Sequence, residues 1–186
     1  MSNYISIIAV CLATSMATQT VGQSNDLVER AHESNEKKAD KGVVNESDAE
    51  FLVRSTDARM MDYREGKLAA DRGTTAPIKE YGELMMEDQN MLLDKIRTLA
   101  SAKKVTLPTN ISDKKEKGRE DLAASKGKDF DKKFVQMMII DHERDVKLFK
   151  KARNSKDKDI SSFASQYLPL IESHLKKIKD IKGTMK

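Results

Sequence analysis

Apolar residues return along this chain at alternating intervals of four and three, the spacing of one buried face on a helix. The first strip runs Phe51, Ser55, Ala58, Asp62, Glu65, Ala69 and Arg72. It opens at "SDAE", where Ser47 suits an N-cap and Glu50 stands at the capping-box position. "RGTTAP" ends it, with Gly73 placed to terminate a helix and Pro77 to begin the next. The second strip is Ile78, Gly82, Met85, Gln89, Leu92, Ile96 and Leu99, ending near Lys103. A third, Val135, Ile139, His142, Val146 and Phe149, lies within Phe130 to Arg153. "NSKDKD" then turns the chain, Asp159 offers a cap, and Ile160, Ala164, Tyr167, Ile171, His174, Ile178 and Ile181 form the last strip.

Between the second and third strips, "VTLPTNISDKKEKGREDLAASKGKD" contains Pro108, Gly118 and Gly127, with room for one short helix over Glu116 to Ser125. Four amphipathic helices of about 23–28 residues, roughly 35–42 Å each, predict an all-α, antiparallel four-helix bundle with a short extra helix between helices 2 and 3. Mixed three/four spacing suits left-handed bundle packing. Up-down-up-down order would put the first and third turns at the same end. No Gly-rich phosphate loop, Gly-x-Ser-x-Gly elbow or strand-helix alternation competes with this reading.

The remaining sequence reads as an address and a connector. "YISIIAVCLA" (Tyr4 to Ala13) is an apolar run within the ~7–15 residues of a signal-peptide core and too short to span a bilayer. Small residues follow it, although no Lys or Arg precedes it. Residues 1–22 are therefore predicted to be a signal peptide, 23–46 a flexible polar tether and 47–183 the bundle. Export places the protein in the periplasm or on the outer cell surface. Cys11, the one cysteine, lies inside the leader, so a mature chain has no disulfide, Cys-ligated zinc or thiol nucleophile. "IAVC" is a poor lipoprotein box, because Val10 is bulky where a small residue is expected. The tether contains Glu29-Arg30-Ala31-His32, a Glu-x-x-His spacing without an apolar face to fold against.

Composition changes this picture little. Charged residues make up 34% and aromatics 5%, with no Trp, which favours helices with salted outer faces over a β-sandwich. The net charge of +4 is spread among interleaved acids and bases, and no aromatic-basic platform appears, which argues against nucleic acid as a partner. The methionine pairs Met60-Met61, Met85-Met86 and Met137-Met138 read as adaptable core filling in a chain poor in aromatics. Pro169, well inside the fourth helix, predicts a kink five residues before His174.

Each core strip is interrupted by a polar residue near its middle: Asp62, with Glu65 a turn on, then Gln89, His142 and His174. Counted from the turns, these residues lie about 15–23 Å deep, close enough to share one layer. An uncompensated buried polar group costs about 1–3 kcal/mol, so such residues are expected to meet. Two readings fit. A carboxylate orients the imidazoles and the layer fixes helix register, or the imidazoles, a carboxylate and an amide oxygen or water bind one divalent transition metal or a small ligand. No nucleophile-base pair argues for catalysis.

"GKLA" (Gly66 to Ala69), "LMMEDQ" (Leu84 to Gln89), Leu107-Pro108, "FDKKFVQMMIIDHERDVKLF" (Phe130 to Phe149) and "FASQYLPLIESHL" (Phe163 to Leu175) together resemble an exported bacterial family, the domain of unknown function numbered 4142. That family is described as a predicted outer-membrane protein and placed among ferritin-like bundles. The resemblance covers about Asp48 to Lys179. It implies a ferritin-like bundle with Glu where Asp62 stands, His where Gln89 stands, and histidines matching His142 and His174. Two of the four polar positions are thus altered here. A carboxylate-bridged di-iron centre needs two Glu-x-x-His pairs on separate helices, and these strips contain none. No alternation of barrel strands accompanies the outer-membrane description. The expected function is an exported binding or stress-related protein holding a ligand at the polar layer. The alternative is a structural module that meets other components of the cell envelope.

Overall fold

The computed structural model describes residues 26–185. The signal-peptide reading, with Cys11 and its neighbours, lies outside the described residues. The described residues form six helices: α1 (Leu27–Ala39), α2 (Glu46–Arg72), α3 (Ala76–Ala102), α4 (Asp113–Ala124), α5 (Gly127–Ala152) and α6 (Lys158–Thr184). There is no strand among the described residues. The four long helices coincide with the four predicted strips to within a few residues. Their caps lie slightly earlier than expected. Asn45 accepts from the Asp48 amide at the start of α2, and Asp157 accepts from Asp159 and Ile160 at the start of α6. Pro169 sits on the exposed side of α6 and does not end it.

In the bundle, α2 packs on α3 and α5, and α6 packs on α5 and α3. The end of α2 meets the start of α5, where Arg72 donates to the carbonyls of Ala123 and Ser125 and Thr74 binds Asp131. At the opposite end Ser155 donates to Asp48, and Lys103 pairs with Asp157 and Asp159. Neighbours are therefore antiparallel, as predicted, but the order is up-down-down-up. The first and third turns lie at opposite ends. The reason is the 103–126 connection, which climbs the whole length of the bundle with α4 against α2 and α5. The four predicted polar residues nevertheless remain level, each roughly 15–23 Å from the α2–α3 turn end.

The tether reading is corrected for residues 26–46. Residues 27–39 are helical, capped by Asp26, and bury Val28, Ala31 and Asn35 against the bundle. Asn35 does most to explain why. Its amide nitrogen donates to the Thr106 carbonyl at 2.8 Å, and the Thr106 amide donates back to its Oδ1 at 2.8 Å. A side chain that looks solvating in sequence thus satisfies two backbone groups of the crossover. His32 of the Glu-x-x-His sequence is half-buried and Glu29 is exposed.

The apolar core is split in two. One half gathers Phe51, Leu52, Ile96, Phe149, Ile160 and Phe163, and the other Ile78, Tyr81, Met85, Phe130, Phe134 and Ile178. Each methionine pair places one side chain in the core and one half-buried at its edge, as core filling requires.

Close approach of α2 and α3 depends on two glycines. A Cβ on Gly82 would stand 2.5 Å from the Gly66 carbonyl oxygen and 2.5 Å from the Ala70 amide nitrogen, both backbone atoms that cannot yield. Gly82→Ala is expected to lower unfolding free energy by about 1–3 kcal/mol through overpacking, outweighing the gain of at most about 1 kcal/mol in helix propensity. At Gly118, where the nearest atom would be 3.8 Å away, the same substitution should stabilise by up to about 1 kcal/mol. Urea unfolding of the two variants checks both signs.

Candidate functional site

Between the two apolar halves lies a polar layer. Ser55, Arg59, Asp62 and Glu65 reach it from α2, His142 and Asp145 from α5, His174 from α6 and Gln89 from α3, all buried. Arg59 is fully buried and was not foreseen. Its Nη2 donates to Asp62 Oδ2 at 3.0 Å and also contacts Asp145, tying α2 to α5. Burial lowers its pKa, while Asp62 and Asp141 raise it. A lone buried guanidinium costs several kcal/mol, so two flanking carboxylates are the condition for its presence. The signal was in the sequence: Arg59 stands three residues before Asp62, on the same face of the helix.

The two imidazoles meet, their ring centroids 5.6 Å apart and nearly perpendicular. His142 Nδ1 lies 2.9 Å from the Met138 carbonyl, which can only accept, so Nδ1 carries the proton and Nε2 presents a lone pair. His174 Nε2 lies 2.8 Å from Asp88 Oδ2, which likewise leaves Nδ1 as the bare nitrogen. Neither bare nitrogen has a hydrogen-bond partner among the described residues. Burial, then the charge of Arg59, pushes the His142 pKa down to about 3. Burial and then His142 push His174 down to about 4, against the opposing pull of Asp88. Both rings are therefore neutral at physiological pH, with lone pairs free. Tyr81 closes one side, its ring 6.4 Å from His142 and its hydroxyl donating to the His174 carbonyl at 3.3 Å.

Glu65 is the other unsatisfied member. It has no solvent exposure, and neither carboxylate oxygen has a partner among the described residues. Burial first, then Asp62 and Asp141, raises its pKa well above the usual carboxylate range. Candidate ligand atoms of Asp62, Glu65 and Asp141 all lie within 4.8 Å of one another. Asp141 is half-buried, its pKa raised chiefly by burial, and Arg144 holds its Oδ1 at 3.0 Å. Of the predicted site residues, then, the structure pairs His142 with His174 and sets Asp62 beside Glu65. Gln89 shares the layer, but among the described residues its side chain makes a single polar contact, Nε2 to the Met85 sulfur at 3.5 Å in its own helix. Asp141, Asp145 and Asp88 join the site although none lies on a predicted strip. Each adjoins or follows a strip position by one to three residues, where a helix face still turns inward.

In metal-free protein the layer should titrate in opposed directions. The histidines' ordinary pKa is 6.5 and their folded values are lower. Their contribution is therefore complete above pH 6.5 and is lost as pH falls, because the unfolded chain binds protons the fold refuses, at up to about 1.4 kcal/mol per pH unit per proton. Glu65 works the other way. Raised above 4.5, it favours the fold below that pH and loses its contribution as pH rises. Asp141, raised less than Glu65, acts in the same direction as it, but two histidines shifted down to about 3 and about 4 outweigh both, so chelator-treated protein should lose stability between pH 6.5 and 4.5. A His142→Gln, His174→Gln double variant should flatten or invert that slope, and Glu65→Gln should steepen it. Urea midpoints across this range provide the measurement.

The family model described as Domain of unknown function (DUF4142) matches residues 14–181. Comparison with curated proteins gives no match, and neither does comparison with solved structures.

Proposed function

We propose that this chain, which belongs to the DUF4142 family, is an exported helical-bundle protein that binds one divalent transition metal in the polar layer of its core. The observation that carries the reading is Glu65, a carboxyl without solvent or hydrogen-bond partner, grouped with Asp62 and Asp141 inside 4.8 Å. A carboxyl so placed either keeps its proton or ligates a cation, and binding would release that proton. Asp62, Glu65 and Asp141 are the anionic donors. His142 and His174 lie in the same layer but outside that carboxylate group, and each would have to bring its bare nitrogen toward an ion held there; the second nitrogen of each ring is hydrogen-bonded, the usual support for a metal-binding histidine. Oxygen donors with neutral imidazole suit manganese, iron or zinc. Gln89 Oε1, unpartnered in the core, is a weaker further donor.

The single long crossover is the connection that ferritin-like bundles also use, which favours placing the domain among them. The chain lacks paired Glu-x-x-His motifs in its core strips, so capture of an ion, not di-iron oxidation, is the chemistry proposed. Withholding a redox-active metal in the envelope is the stress-related role this chemistry would serve. Export rests on the apolar run Tyr4 to Ala13 and the small residues after it, with the periplasm or outer cell surface as destination. The second reading, a structural module of the envelope without a ligand, is favoured by Arg59, whose bonds to Asp62 and Asp145 fix helix register by themselves.

Elemental analysis of tag-free mature protein, exposed in turn to manganese, ferrous iron and zinc, decides between these readings. One ion per chain is expected, and Glu65→Gln should weaken its binding by about tenfold or more. Loss of the ion in His142→Ala, His174→Ala but not in Glu65→Gln would shift the donors to the imidazoles. Metal-free wild type with a Tm indifferent to all three ions would leave the structural reading. For export, the N-terminus of envelope-fraction protein should lie between Ala13 and Ser24, and an intact Met1 start in the cytosol would refute it.

A further inference from the structure

Asp62 and Glu65 cannot be reached from solvent, being 1% and 0% exposed. Asp141 is different. Its side chain is 19% exposed and forms part of the wall of a cleft of about 600 Å³ between α2, α4 and α5. Met61, Lys115, Gly118 and Met137 line the same cleft. We propose that this cleft is the route by which a divalent cation reaches the core, with Asp141 as the first carboxylate it meets and Gly118 as the residue that keeps the route open. The inference rests on the metal-binding reading above and names its access route and the residues that control it.

Three features carry it. First, the methyl groups of Met61 and Met137 face Gly118 from two different helices, 3.9 and 3.8 Å from where a Cβ would stand. Gly118 has no positive φ that would demand glycine, and glycine inside a helix costs about 1 kcal/mol relative to alanine. Its advantage lies in the space it leaves, which a large side chain would fill. Second, α4 covers the cleft with little apolar anchorage. Leu122 is its single buried residue, and polar contacts hold it at both ends: the Ser112 amide to Asp57 Oδ1 at 2.9 Å, and Arg72 to the Ala123 carbonyl at 2.7 Å. Third, three of the four bases that line the cleft are paired with acids, and Lys114 alone has no acidic partner among the described residues. Arg54 is held by Glu50 and Lys115 by Asp57, while Arg144, 68% exposed, rests on Asp141 itself. Arg144 is thus an exposed cation on the carboxylate that an incoming ion needs, and displacing it exchanges one positive charge for another.

The test is stopped-flow transfer of Zn²⁺ between the full-length mature protein and a chromogenic chelator, in both directions. Gly118→Phe should slow loading and release alike by about tenfold, a barrier rise of roughly 1.4 kcal/mol, with Kd and stoichiometry unchanged. Gly118→Ala should match wild type, and Arg144→Ala should load faster. Gly118→Phe protein that loads at the wild-type rate or faster would overturn the route, as would Arg144→Ala protein that loads no faster than wild type. Wild type that takes up no Zn²⁺ would instead bring down the metal-binding reading beneath it, so the two failures are told apart.

Discussion

Arg59, fully buried and held between Asp62 and Asp145, is the constraint around which this bundle is arranged. Removing a guanidinium from water is costly, and the cost is offset only where carboxylates meet it in fixed geometry. One partner comes from its own helix and the other from α5, so the pair sets the register of two antiparallel helices. The apolar core is correspondingly two cores, one on each side of a polar seam. Hydrophobic area supplies most of the favourable free energy, but it is insensitive to sliding. The seam is not, because sliding α2 along α5 would part Arg59 from Asp145.

The same layer holds more acceptors than donors. Among the described residues His142 Nε2, His174 Nδ1, both oxygens of Glu65 and Asp62 Oδ1 have no hydrogen-bond partner, against Arg59 Nε, Arg59 Nη1 and Ser55 Oγ on the donor side. Buried groups in this state cost about 1–3 kcal/mol each, which is the cost that the proposed ion would offset. The tautomers sharpen the point, since Met138 and Asp88 orient the rings so that each directs a lone pair inward. An excess of fixed, neutral or protonated acceptors matches a cation that arrives and displaces a proton. Selectivity would come from the oxygen-rich donor set and from what can pass the cleft beneath α4.

Helix α2 links these properties. It is covered by α3, α5, α1 and α4 together, which is why Ser55, Thr56, Asp57 and Arg59 are all buried on consecutive faces. The covering segments are polar in sequence, with few apolar anchors (Val28 and Ala31 on α1, Leu122 on α4) supplemented by hydrogen bonds, Asn35 to Thr106 for α1 and Asp57 to Ser112 for α4. Segments held in this way open more readily than the apolar bundle beneath them, so access to the layer and stability of the fold are separable in one chain.

Four strips at three/four spacing determined the four long helices, their lengths and their inward faces, because helical periodicity is a local property of the chain. The level at which His142, His174 and Asp62 lie was legible for the same reason, even though the connection order differed from the simplest one. What the tertiary structure decided is everything that depends on a second segment. Residues 27–39 became a helix because Thr106 offered its backbone to Asn35. Arg59 became a core residue because Asp145 stood opposite. Asp141 became the exposed end of the acid cluster because α4 left a cleft beside it. Each of these is a pairing between positions far apart in sequence, and a polar residue's fate is set by its partner, not by its own hydropathy.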